Sequence, residues 1–141
     1  MTAYPDEYVD DKIKNFFANF FIVSDTPTAH DKYTAQYDEN ATFIVGSNIA
    51  TGAAEILEMR KGMWNNVAKR HHELIQVFPF QPSFAEVGEY ALYGTVEYTF
   101  FDDSVSKIDW MSRMMLARGV DDEQPKITFY QVYANTVPMK L

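Results

Sequence analysis

Apolar residues recur at helical spacing in the first half of the chain and run nearly unbroken through long extended segments in the second. Ile13, Phe16, Phe17, Phe20 and Phe21 form an aromatic stripe that predicts a first helix over 6–23, opened by Asp6 as an acidic N-cap just after Pro5. Thr26-Pro27 stops that helix, and Thr28 with Asp31 resembles a capping box that starts a second one, on which Tyr33 and Tyr37 share a face. Residues 41–46 read as a short strand and 47–52 as a turn. A third helix follows over about 53–69, with Ile56, Met59, Met63, Trp64 and Val67 as its buried stripe.

The second half is extended. Residues 71–80 form one run, closed by Pro79 and Pro82, and three more follow at 88–101, 105–118 and 126–136. Two short acidic loops, 102–104 and 119–125, join these last three as antiparallel hairpins. Helices first and a strand meander afterwards give an α+β class, with three N-terminal helices packed on a curved, mostly antiparallel sheet. In the last three runs both pleat faces are largely apolar or aromatic, with Asp109 and Arg113 as conspicuous exceptions, which implies a sheet covered on both sides. Helices cover one face only, so the pattern predicts a homodimer through the other.

Composition narrows the function. A chain of 141 residues fits a single domain over 1–141 that buries roughly 70% of the surface its unfolded form exposes. Without cysteine there is neither a disulfide framework nor a thiolate metal site, and the chain suits a reducing, cytoplasmic setting. Residues 1–11 lack a basic region followed by an apolar run, and no apolar stretch approaches the roughly 18 residues of a membrane span. A net charge of -8 repels phosphate backbones, which argues against nucleic acid and anionic membranes as partners. Eleven Phe, nine Tyr and seven Met exceed what packing requires, so a partner chain or a hydrophobic small-molecule ligand takes up the surplus. Three histidines without His-x-x-x-His spacing point to no metal, and the absence of glycine-rich phosphate loops and serine-centred nucleophile motifs points to no cofactor.

Two local patterns carry a resemblance. Tyr37-Asp38-Glu39-Asn40-Ala41-Thr42-Phe43, followed by Thr51-Gly52-Ala53-Ala54-Glu55-Ile56, resembles the acidic turn into strand one and the Gly-led third helix of the nuclear transport factor 2-like superfamily. That group includes SnoaL-like, ketosteroid isomerase-like and scytalone dehydratase-like domains. Ile108-Asp109-Trp110 resembles the Ile-Asp-aromatic step of ketosteroid isomerases. With the element order, the resemblance covers nearly the whole chain and implies a cone-shaped half-barrel with an internal pocket. It also implies that Asp109 points inward, which places Met111 and Arg113 on its face and Phe129, Gln131 and Tyr133 on the matching face of the last strand. Phe17, Phe20 and Trp64 from the helices then line the pocket or fill the core.

The candidate chemistry is proton transfer. Asp109, desolvated among Met and aromatic residues, serves as acid or base, or else pairs with Lys107. Of the adjacent pair, His72 is favoured over His71 for the pocket, because its alternate set also carries Gln76; imidazole suits proton transfer near neutrality. A strand-end histidine capped by a backbone carbonyl is the plainer alternative. Arg113 or Tyr133 stabilises an oxyanion, although a cross-strand ion pair of Arg113 with Glu97 fits equally well. Strand one, Phe43-Ile44-Val45, has no acid, and helix one lacks both the tyrosine of ketosteroid isomerases and the Tyr-Asp pair of scytalone dehydratases. The resulting expectation is a cofactor-independent isomerase, dehydratase or cyclase acting on a hydrophobic polyketide- or terpenoid-like molecule. The alternative is a noncatalytic ligand-binding or dimerisation module of the same fold.

Overall fold

The computed structural model describes residues 1–5, 9–81, 87–118 and 124–134. Three helices, α1 (Asp11–Ser24), α2 (His30–Thr34) and α3 (Ala53–Gly62), pack on one face of a six-stranded sheet. The strands are β1 (Tyr37–Val45), β2 (Asn48–Thr51), β3 (Val67–Pro79), β4 (Val87–Phe100), β5 (Val105–Ala117) and β6 (Lys126–Ala134), in the spatial order β2-β1-β6-β5-β4-β3. Only β1 and β6 pair in parallel, so the curved, unclosed sheet is mostly antiparallel, as the α+β reading required.

Local chemistry sets the element ends. Asp10 caps α1 by accepting the backbone N–H of Ile13 at 3.0 Å, whereas the predicted cap, Asp6, lies outside the described residues. The second helix starts at His30, two residues beyond Thr28, with no side-chain cap. Tyr37 has already left it to begin β1, yet its hydroxyl still lies 2.8 Å from that of Tyr33. Residues 48–51, expected within a turn, fold back on β1 as a short strand through the two-residue link Gly46-Ser47.

The third helix ends at Gly62, earlier than predicted. Asn66 adopts φ 65, a left-handed conformation that asparagine tolerates better than most residues, and it turns the chain into β3. Met63, Trp64 and Val67 continued the helical spacing of apolar residues through this turn, which concealed it.

The core lies between α1 and the concave sheet face. Phe17 meets Tyr90 edge-on at 5.3 Å, Phe20 meets Tyr130 at 5.5 Å, and Phe43 stacks on Tyr130 at 5.4 Å between ring centroids. Tyr90 and Leu92 on β4 face this core with Trp110, Ser112, Met114 and Leu116 on β5. The intervening set, Asp109, Met111 and Arg113, is exposed on the opposite face. In the single chain that outer face is therefore open rather than covered. Among the described residues no helix is long and apolar enough to cross a membrane.

Candidate functional site

The site forms where α1 ends. A helix leaves its last carbonyls unsatisfied and its C-terminus partially negative, and the last turn of α1 contains no basic residue. Two distant arginines supply the missing donors. Arg60 of α3, 0% exposed, donates to the Ser24 carbonyl at 2.5 Å and the Thr26 carbonyl at 2.6 Å. Arg70 of β3, 4% exposed, donates to the Ser24 carbonyl and, at 3.1 Å, to its hydroxyl. Trp64 accepts both cations on its ring, Arg70 at 4.6 Å and Arg60 at 5.2 Å from its centroid, and Arg60 also lies 4.7 Å from the centre of Tyr33. Burial and the neighbouring Arg70 lower the Arg60 pKa to about 10, which still leaves it charged at neutral pH.

The residue that this clamp fixes is Asp25, the C-cap of α1. One of its carboxylate oxygens accepts the backbone N–H of His72 at 2.7 Å, and the other lies 2.6 Å from Nδ1 of the same histidine. The Arg70 Nε is 3.5 Å from the second oxygen. An ionised carboxylate only accepts hydrogen bonds, so Nδ1 carries the proton and Nε2 keeps its lone pair. The imidazole sits between Phe21, at 5.2 Å, and Trp110, at 5.8 Å between centroids. Burial pulls the His72 pKa below 6.5, and Arg70 and His71 pull in the same direction, against the opposing pull of Asp25. The ring is therefore neutral near pH 7.

His72 and Asp25 open onto a cavity of about 400 Å³ lined by Tyr4, Phe17, Phe21, Ile22 and Leu74 among others. Its outer wall is the N-terminal segment, in which Ala3 bridges to Gln76 of β3 and the Thr2 hydroxyl donates to the Leu74 carbonyl at 2.5 Å. Burial raises the pKa of Tyr4, leaving a neutral phenol on that wall. Among the described residues three larger hollows exist, between α3 and the β1–β2 hairpin, on the outer sheet face and between α1 and the start of β6, but none of them is lined by a histidine.

The predicted site residues divide between the two faces. His72 is the more buried of the histidine pair and His71 is exposed at the cavity rim, and Phe17 lines the cavity. Phe20 is wholly in the core, and Trp64 separates the two arginines. Asp109, Met111, Arg113, Phe129, Gln131 and Tyr133 all lie on the outer face, contrary to the expectation that they line the cone. Asp109 stands exposed beside Thr95, and Arg113 pairs with Glu89 of β4 rather than with a ligand or Glu97, its guanidinium 5.2 Å over Phe129. Met111 and Tyr133 are 46% and 56% exposed. The physical reason is strand phase: Trp110, the larger apolar neighbour, takes the inward position, and a shift of one residue sends every alternate side chain to the other side.

Asp25, Arg60 and Arg70 were missed. Asp25 meets His72 across 47 positions of sequence, so no local spacing reveals the contact. Arg60 gave a signal, because it falls four residues after Ile56 on the apolar side of α3.

No protein-family model matches the chain, and no curated protein matches it. Solved structures do. A candidate scytalone dehydratase of Novosphingobium aromaticivorans superposes with a TM-score of 0.77 over 89% of this chain and 83% of its own, at 9% identity. ActVI-ORFA of Streptomyces coelicolor gives 0.74 over 89% and 96%, at 16% identity. The hexachlorocyclohexane dehydrochlorinase LinA-type3 of Novosphingobium barchaimii gives 0.73 over 88% and 84%, at 12% identity. Strand order, helix placement and these superpositions together establish that the chain has the nuclear transport factor 2-like fold.

Proposed function

We propose that the protein is a cofactor-independent acid–base enzyme that removes a proton from carbon in a small hydrophobic molecule, with His72 as the base and Asp25 as the residue that orients it. The observation that carries this reading is the 2.6 Å contact between His72 Nδ1 and the Asp25 carboxylate at the wall of an apolar cavity. Nε2 takes the proton from an acidified C–H. The released electron pair then expels a leaving group from the adjacent carbon, or shifts a double bond and is reprotonated elsewhere. Asp25 stabilises the imidazolium while it lasts, and the Tyr4 phenol is a hydrogen-bond donor for developing negative charge. Of the fold neighbours, one is named a dehydrochlorinase and another a candidate dehydratase, which supports an elimination, the dehydratase branch of the expectation from sequence. Cyclisation of a polyketide- or terpenoid-like substrate uses the same base. The deciding experiment is a substrate screen with wild type and His72→Gln: turnover confined to the wild type supports the assignment, and equal turnover in both overturns it.

Asp109 and Arg113 have no part in this mechanism, since both stand on the outer face. That face fits the second half of our reading, a homodimer through the sheet, because it exposes Met111, Tyr133, Phe78 and Ile49. We also read residues 1–141 as one domain, in a reducing, cytoplasmic setting consistent with the cysteine-free sequence. A noncatalytic ligand-binding module is the competing reading, favoured by the interlocked rings of Phe20, Tyr33, Tyr37, Phe43 and Tyr130 that fill the depth of the cone. Binding of apolar ligands with no turnover of any would decide for it.

A further inference from the structure

We infer that Arg70 is a positioning residue for the Asp25–His72 pair: its guanidinium anchors the helix end that carries Asp25 and places a fixed positive charge beside both side chains. The inference rests on the reading of His72 as the base but concerns a different residue. Arg70 and His72 are two apart on β3 and point to the same face. Arg70 is tied to Ser24, the residue before Asp25, through both the carbonyl and the hydroxyl, with its Nε 3.5 Å from Asp25 Oδ1. Trp64 holds the guanidinium plane at 4.6 Å, so the charge cannot swing away. A guanidinium this deeply buried is held by the Ser24 carbonyl and hydroxyl, by the Trp64 ring and by the nearby Asp25 carboxylate, which together offset part of its desolvation.

The titratable and charged groups facing His72 are few. Asp25 comes from the end of α1, Arg70 and His71 from its own strand, and Tyr4 from the N-terminal wall of the shared cavity; β4 sets Val96 opposite and β5 contributes Trp110. Asp25 favours the imidazolium and Arg70 opposes it. Asp25 orients the ring but also favours its protonated form, which cannot act as a base; burial is the main influence against that form, and the Arg70 charge adds to it. Arg70 thus offsets part of the protonating pull while leaving the carboxylate to fix the tautomer. Arg60 shares the Ser24 carbonyl with Arg70 and adds that of Thr26, but its charge is not among those that move the His72 titration.

The test is an NMR titration of the His72 ring in the full-length chain, which needs no substrate. Arg70→Gln, which removes the charge and keeps a donor toward Ser24, is expected to move the midpoint upward. Arg70→Lys, which keeps a charge, should leave it near wild type even where stability falls, and Arg60→Gln should lower stability and leave the midpoint unmoved. An unshifted midpoint in Arg70→Gln, or an equal shift in Arg60→Gln, overturns the inference. Should Arg70→Gln fail to fold, Arg70→Met, which keeps the aliphatic stem and removes the charge, takes its place: an upward midpoint supports the role, and an unshifted one sinks it. Because the readout is a titration, it stands or falls separately from the turnover test on His72→Gln.

Discussion

His72 is held by Asp25 at two points, its ring Nδ1 by one carboxylate oxygen at 2.6 Å and its backbone N–H by the other at 2.7 Å. The side chain cannot rotate without breaking one bond, and the strand cannot slide without breaking the other. Asp25→Asn replaces one acceptor with an NH₂ group that faces a donor in either orientation. Turnover is expected to fall by about 10²- to 10⁴-fold, the usual contribution of a positioned base, as measured by kcat/KM on a substrate from the screen.

The pH dependence has a definite sign. Because the folded-state pKa of His72 lies below the 6.5 of an unperturbed ring, the unfolded chain binds the proton more readily. Its contribution to stability is complete above pH 6.5 and is lost as pH falls toward the folded-state value. Thermal melts of wild type against His72→Gln should therefore converge or cross on acidification. The rate should rise with pH through the same folded-state value, below 6.5, and a limb centred above neutrality would contradict the assignment.

Gly94 faces Trp110 across β4 and β5, and a Cβ placed there would lie 2.1 Å from the Glu73 carbonyl oxygen and 2.7 Å from the indole ring. Neither the β3 backbone nor a packed tryptophan can yield cheaply. Gly94→Ala is expected to cost about 1–3 kcal/mol and to disturb Trp110, which flanks His72. Chemical denaturation followed by tryptophan fluorescence checks both.

On the outer face, Asp109→Asn and Arg113→Gln should leave turnover and the melting temperature of the isolated chain within experimental error. Surface ion pairs such as that of Arg113 with Glu89 contribute little. A marked loss of activity in Asp109→Asn would return that residue to the catalytic set.

The fold was legible because its signals are local. The Phe stripe of α1, the Thr51-Gly52 entry to α3 and the short acidic loop after β4 each specify an element by spacing or turn chemistry. The site was legible only in part. The partly buried placement of His72 beside the cavity matches alternation along β3, whereas β5 carries apolar residues in both phases, which blurred its alternation. The charges held the answer, since Asp109 and Arg113 fall in one phase, the mark of a wetted face, while Trp110 and Met114 fall in the other. The Ile-Asp-aromatic resemblance outweighed that signal and reversed the face. Asp25 and the two arginines meet only in three dimensions, between α1, α3 and β3.

The short parallel contact of Ala3 with β3 does more than wall a cavity. β3 is a terminal strand of an open sheet, and such rims invite pairing with other chains. Ala3 takes the Ile75 carbonyl at 2.7 Å and the Val77 N–H at 3.1 Å, bonds that an incoming strand would otherwise claim. Any polypeptide recruited at this rim must first peel the segment off, exposing the histidine as it does so, which links solubility to access to the cavity.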